Sequence, residues 1–265
     1  MNGEADAELL AESRQRLHEV RERIARACHD ADRSPSEITL IGACKRQPAA
    51  RIAAVVRAGL SHLGENYVRE AQDIQTALLP LLDGEDISSA EAKTPPHWHM
   101  IGHLQRNKAA LAAGIFQAVD SVDSARLARS LNRRAEETGA VLDICLQVNL
   151  SGEKSKSGIS EEELPSLLEA CLPLTHLRTR GLMTMPAPHP DPEAARSTFA
   201  RLRGLRDTLS TRPEGGALRD LNMGMSGDLE IAIQEGATMV RVGTDLFGQR
   251  PPATSKAESG AENGT

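Results

Sequence analysis

A lysine ends the first buried run of the chain. Glu37-Ile38-Thr39-Leu40-Ile41-Gly42-Ala43-Cys44 is apolar and β-branched, and it stops at Lys45. A run of this kind fills a strand covered on both faces. Pro48, followed by Ala-Ala-Arg-Ile-Ala-Ala-Val-Val-Arg-Ala, opens a helix through a proline in its first turn. Lys45 is therefore expected at the carboxyl end of a strand, where parallel α/β folds hold their ligands. An ammonium beside a barrel core is costly to keep charged, and desolvation draws it toward the neutral amine that attacks aldehydes. Near the other end of the chain, Gly224-Met225-Ser226-Gly227-Asp228 and Arg241-Val242-Gly243-Thr244 each leave an apolar run. Ser226, read as a helix N-cap, and the Gly243–Thr244 pair offer short hydroxyls and backbone N–H groups, which suit an anion. Such residues also make ordinary turns and caps. Their joint placement with a strand-end lysine is what favours a ligand.

Those residues need a scaffold that gathers strand ends at one face. Residues 5–30 carry Leu9, Leu10, Leu17, Val20 and Ile24 as an apolar stripe, predicting one long amphipathic helix. After the strand ending at Lys45, further strands are expected at 61–66, 97–102, 116–122, 141–149, 177–185, 220–225 and 237–243. Helices are expected between them at 67–79, from 105, at 124–138, from Ser160 with Glu163 as a capping box, at 191–210 and at 226–235. Strand then helix about eight times in roughly 210 residues is the spacing of a (β/α)8 TIM barrel. The eighth outer helix is short or missing in this reading, and the N-terminal helix covers the gap. The expected layout is a helix and linker at 1–36 and one barrel domain at 37–250 with a surface insertion near 80–96. A disordered tail follows at 251–265. An open doubly wound sheet would need a glycine-rich phosphate loop after its first strand, and Lys45-Arg46-Gln47-Pro48 is not one.

On that barrel, an aldehyde-reactive lysine facing a phosphate cradle across the mouth describes a site for pyridoxal phosphate. Arg241 shares the face of Gly243 by alternation and is expected to face the pyridine nitrogen, where a guanidinium disfavours a protonated ring. Beyond these residues, a longer ordered set of motifs is present. It comprises Gly42-Ala43-Cys44-Lys45, His62-Leu63-Gly64-Glu65-Asn66-Tyr67-Val68, Trp98-His99-Met100-Ile101-Gly102-His103-Leu104-Gln105-Arg106-Asn107-Lys108 and Val148-Asn149. Lys156-Ser157-Gly158, Arg180-Gly181-Leu182-Met183, Gly224-Met225-Ser226 and Val240-Arg241-Val242-Gly243-Thr244 complete it. Together, over about residues 37–250, they resemble the pyridoxal phosphate homeostasis proteins, single-domain relatives of the alanine racemase barrel. The resemblance implies that Lys45 holds the cofactor as an internal aldimine. It further implies phosphate contacts from Ser226, Gly243 and Thr244, a ring-nitrogen contact from Arg241, Asn66 at the ring or its substituents, and Met183 as a neighbour. The family usually has Ser before and Thr after the lysine, where this chain has Cys44 and Arg46. The implied function is reversible binding, buffering and delivery of the cofactor to apo-enzymes, without catalytic turnover.

Two other function classes compete. Related racemases place a second acid/base, usually a tyrosine from a C-terminal domain, opposite the lysine; here the one tyrosine is Tyr67, read as packing at a helix start. A metal-dependent hydrolase would use the His97/His99 pair, but both residues begin their strand and so belong at the bottom of the barrel. Lys154 and Lys156 in the Ser151–Gly158 loop, and the Gln105–Lys108 helix start, are weaker anion candidates. A formal net charge of −6 argues against nucleic acid. Neither a membrane-length apolar run nor a signal-peptide core is present, so a cytoplasmic monomer is expected. Cys28, Cys44, Cys145 and Cys171 lack paired spacing and read as reduced, buried residues.

Overall fold

Covered on both faces, the apolar runs become parallel strands. The computed structural model describes residues 3–82, 95–153, 157–212, 215–216 and 218–249. Strands β1 (Thr39–Ala43), β2 (His62–Glu65), β3 (His97–Met100), β4 (Ala118–Val122), β5 (Leu142–Gln147), β6 (Leu177–Met183), β7 (Asp220–Met225) and β8 (Met239–Val242) pair in sequence order. β8 pairs back onto β1 and closes the barrel. The outer layer consists of α1 (Gly3–Asp30), α2 (Ala49–Arg57), α3 (Val68–Leu82), α4 (Ala109–Ala113), α5 (Ala125–Thr138) and α6 (Leu164–Cys171). It is completed by α7 (Arg196–Ser210), α8 (Leu229–Gln234) and α9 (Thr244–Phe247). This is the (β/α)8 barrel with an N-terminal helix that the sequence pattern predicts.

The gap left by the four-residue α9 is filled from the front of the chain. α1 packs against α2, α8 and α9, burying Leu17, Val20, Ile24, Ala27 and Cys28. Leu9 and Leu10, part of the expected stripe, stay half exposed. Phe247 of α9 is 1% exposed and sits where a side chain on Gly42 would go: a Cβ there would lie 3.1 Å from its ring. β1 can approach the outer layer closely only because that residue is glycine.

Element boundaries shift where local hydrogen bonds outcompete the pattern. Asp228, rather than Ser226, is the N-cap of α8. Its carboxylate accepts the Met225 N–H at 2.6 Å, and its own N–H donates to the Met225 carbonyl at 3.1 Å. The resulting tight turn uses up residues 226–228 and delays the helix. Only half of the expected capping box forms, with the Ser160 N–H donating to Glu163 Oε2 at 3.1 Å, and α6 starts at Leu164. α5 has both expected ends: the Ser124 hydroxyl accepts from the Leu127 N–H, and Gly139 takes a left-handed φ of 67°. Residues 83–94 of the expected insertion, Lys154, Ser155 and Lys156, and the tail from 251 lie outside the described residues.

Behind Lys45 stands a buried acid. Glu65, on the outward face of β2, is fully buried, and its Oε1 has no partner among the described residues. The Cys44 thiol lies 3.8 Å from Oε2 and donates to the Gly64 carbonyl at 3.2 Å. Burial, reinforced by the Glu70 carboxylate, pushes the Glu65 pKa up to about 8. Glu70 in turn accepts the N–H of Arg46, which holds a left-handed φ of 60°. The two departures around the lysine are thus both tied to this acidic pair.

Phe247→Ala is expected to cost about 3–5 kcal/mol in urea unfolding, because the ring fills a dry space between β1 and α1; a loss below about 1 kcal/mol would show that α9 is not part of the core. Glu65 yields a pH dependence of definite sign. Its folded pKa is raised, so its favourable contribution is complete below the unfolded value near 4.5 and is lost as pH rises through about 8. Glu65→Gln keeps the shape without the charge and is expected to flatten the fall in urea midpoint between about pH 5 and 8.

Candidate functional site

Register decides which side chains enter the barrel. Residues paired in a parallel ladder share a face. Ile41 pairs with His62 and Arg241, Ala43 with Gly64, Gly64 with His99, and Met183 with Asn222. Arg241 is 4% exposed, with its guanidinium hydrogen-bonded across the interior, which fixes this set as the inward one. Two residues beyond Ala43, Lys45 sits half buried on the C-terminal rim. Its Nζ lies over the Tyr67 ring, 5.0 Å from the centroid, a cation–π contact. Tyr67 itself is 51% exposed and follows β2 on the same side of the mouth.

Asn66 leaves β2 beside them, held by close packing. A Cβ on Gly102 would lie 2.6 Å from the Asn66 carbonyl oxygen, so only glycine lets the rim after β3 approach. Asn66, Tyr67, His103, Gln105 and Lys108 line a hollow of about 310 Å³ there. Met183 is fully buried at the end of β6, in register with both Gln147 and Asn222.

Ser226, Gly243 and Thr244 occupy the turns after β7 and β8. Because β8 closes onto β1, Gly243 lies next to the lysine strand rather than across the mouth from it; a Cβ on Gly243 would be 3.3 Å from the Ala43 carbonyl. This corrects the cross-mouth arrangement expected from sequence. Among the described residues, the N–H groups of Ser226, Gly227, Gly243 and Thr244 meet no protein acceptor. The nearby carboxylates are already engaged, Asp228 by the Met225 N–H and Asp245 by Arg23 at 2.5 Å. The turns thus offer free N–H and hydroxyl donors, the composition that suits a phosphate dianion.

Arg23 of α1 holds the two turns together. Its guanidinium reaches Glu230 Oε1 at 2.7 Å, the Ser226 carbonyl at 2.8 Å and Asp245 Oδ2 at 2.5 Å. One side chain, 203 residues away in sequence, so fixes the turn after β7 against the helix after β8.

Under the mouth runs a column of polar side chains. Arg241 Nη2 donates to the Thr184 carbonyl at 3.1 Å, and Nη1 donates to the carbonyl and side-chain oxygens of Asn222. Asn222 Nδ2 donates to Asp120 Oδ2 at 2.9 Å, and His99 Nδ1 donates to the same carboxylate at 2.9 Å. His99 Nε2 is 3.0 Å from His62 Nδ1. Burial pulls the Arg241 pKa below its ordinary value, with Asp120 and Asp228 opposing the shift. Burial and the neighbouring histidines hold His62 neutral, its pKa lowered to about 4.

The metal reading of His97 and His99 does not survive this geometry. Both face inward at the N-terminal end, away from Lys45, and both ring nitrogens of His99 are taken by Asp120 and His62. Among the described residues, no group of three His, Cys, Asp or Glu side chains is placed to hold a metal ion. Sequence reasoning missed Asp120, Asn222, Thr184 and Arg23. A charged residue inside the buried Ala118–Val122 strand was the one available signal. The contact between Lys45 and the Tyr67 ring was also missed.

The chain matches the family described as "Alanine racemase, N-terminal domain" over residues 40–251. It is 43% identical over 234 residues to the pyridoxal phosphate homeostasis protein of Pseudomonas aeruginosa, covering 88% of this chain and 94% of that protein. The protein of the same name from Aquifex aeolicus is 40% identical over 236 residues, covering 89% of this chain and 97% of that one. Among solved structures, PipY of Synechococcus elongatus, determined with PLP bound, superposes with a TM-score of 0.73 at 34% identity. That match covers 89% of this chain and 100% of PipY. With likeness of this extent over the barrel and its rim, the chain belongs to the pyridoxal phosphate homeostasis protein family, which shares the alanine racemase N-terminal barrel.

Proposed function

We propose that this chain binds pyridoxal 5'-phosphate reversibly, limits the free aldehyde, and hands the cofactor to apo-enzymes that need it. The observation that carries the reading is the adjacency of a half-buried lysine to two turns whose N–H and hydroxyl donors are free. When bound, the cofactor supplies an electrophilic aldehyde. Lys45 supplies the amine that captures it, and Tyr67 covers that amine with its ring face. Ser226, Gly243 and Thr244 hold the phosphate through donors the barrel leaves unused. Arg241, pinned by Thr184 and Asn222, presents a fixed positive charge to the ring nitrogen and keeps a proton off it. Asn66 and Met183 border the ring.

That arrangement supports a carrier more than a racemase. Inversion at a carbon needs proton donors on both faces of the substrate. Tyr67 stands on the same side of the mouth as Lys45 and meets it with its ring rather than its hydroxyl. The chain acts as a cytoplasmic monomer in this reading, its only other partners being transient recipients. The deciding experiment is the absorbance spectrum of the purified protein loaded with pyridoxal phosphate. Borohydride reduction and peptide mapping of the adduct then identify the amine.

Lys45→Ala is expected to abolish both the visible absorbance and the reduced adduct; an adduct mapping to another lysine would remove Lys45 from the site, and amino-acid racemisation lost with Lys45 would overturn the carrier reading. Arg23→Ala tests the anchoring of the phosphate turns from outside the mouth. It is expected to weaken cofactor affinity about tenfold in absorbance titrations while the barrel stays folded, and an unchanged affinity would mean that the turns hold their shape without α1.

A further inference from the structure

Several arginines elsewhere on this chain are neutralised. Arg16, Arg33, Arg178, Arg196 and Arg206 each meet a carboxylate within 3.1 Å or less. On the outer face of α5, by contrast, unpaired arginines are gathered together. Arg126, Arg129, Ser130, Arg133 and Arg134 recur at helical spacing and form one wall of a groove of about 540 Å³; Arg106, Asn107 and Ala110 form the facing wall. The opposite face of α5 is the buried one, with Leu127, Ala128, Leu131 and Ala135 against the barrel. Arg134 pairs with Glu137 at 2.7 Å. Arg106, Arg126, Arg129 and Arg133 are exposed and make no ion pair or side-chain hydrogen bond with another described residue. Like charges at these spacings cost a helix stability. A chain with a net charge of −6 has the acids to cancel them and does not place them there.

We infer that the groove between α5 and the turn ahead of α4 is a docking site for a short acidic segment of a partner protein. A guanidinium fork accepts carboxylate or phosphate equally well, so the choice rests on what surrounds the forks. No aromatic side chain lines the groove, which leaves a nucleobase nothing to stack on. The excess acid over the rest of the chain repels a long polyanion once it leaves the groove. The arginines on the rim are exposed, so a single small phosphate would remain largely in water. The stripe from Arg126 to Arg134 is about 12 Å long, the reach of about four residues of extended chain. That length matches a few consecutive Glu or Asp side chains. The groove also leads to the mouth: Arg106 lines it, while Lys108 of the same turn lines the hollow beside Asn66. A partner docked there by its acidic segment is brought to the barrel's open end. The inference stands on the charge pattern alone and does not depend on which ligand the mouth binds.

Fluorescence anisotropy with a fluorescein-labelled octaglutamate peptide on the full chain tests it, with inorganic tripolyphosphate and octauridylate as competitors. Saturable binding is expected, weakening steeply between about 50 and 300 mM salt. Arg129→Ala/Arg133→Ala is expected to weaken binding at least about tenfold with an unchanged melting temperature, and Arg129→Lys/Arg133→Lys to keep most of it. The salt series and the competition give the same reading on the unaltered chain. No saturable binding, equal binding by the alanine variant, or tighter binding of tripolyphosphate or octauridylate would overturn the proposal.

Discussion

Pairing of β8 with β1 is the contact on which the site depends. It brings residues nearly two hundred positions apart into one rim, so that Lys45 and Gly243 become neighbours instead of opposite ends of a sheet. An open sheet of the same strands would leave both edges unpaired and the turn after β8 far from the lysine. Closure, however, needs something to cover the seam, because α9 is one turn long. α1 does this with Leu17, Val20 and Ile24 beneath and Arg23 above. The N-terminal helix is thus both a lid on the core and a brace for the turns, and the two roles fall on adjacent turns of one helix.

The interior explains why an arginine can be kept under the mouth. A lone buried guanidinium is costly, and burial already pulls its pKa downward. Asp120, on β4 across the barrel, supplies the opposing charge through Asn222 rather than by direct contact. Direct pairing would turn the guanidinium down into the barrel. The intervening amide lets the charge be balanced while Nη2 stays tied to Thr184 at the end of β6. Asp120 is itself held by His99, so a chain of single hydrogen bonds sets the direction of one cation.

Much of this was legible from residue order. Continuous apolar runs located the strands, and α5 starts at its Ser124 cap and runs to Thr138 as expected, because both ends depend on neighbours within a few residues. Asp228 displaced Ser226 as the cap of α8, since two short-range acceptors competed and the one that could also take the Met225 N–H won. What sequence could not supply was angular position around the barrel. The turns after β7 and β8 were expected to face Lys45 across the mouth, an arrangement that local pattern cannot test because it depends on which strand closes on which. Arg23 was invisible for the same reason. Nothing in a helix of alternating charge distinguishes the one arginine that will meet residues 203 and 222 positions later.

The two ends of the barrel divide the work according to their exposure to solvent. At the N-terminal end, His62, His97 and His99 lie with ring centroids 4.9 to 5.2 Å apart. The pKa values of His62 and His97 are lowered by burial, which suits packing and orientation but gives no free charge to a ligand. At the C-terminal end the balance reverses. Among the described residues of the turns after β1, β7 and β8, the free groups include an amine, two hydroxyls and several N–H groups, while the nearby acids are occupied by Arg23, Met225 or Arg46. Turns whose carboxylates are already engaged favour a dianion over a cation whatever the ligand's ring. The buried Glu65 fits that bias, since at neutral pH it stays protonated behind Lys45 and does not offset the positive rim. The selection for an anion is therefore built by occupying carboxylates as much as by placing cations.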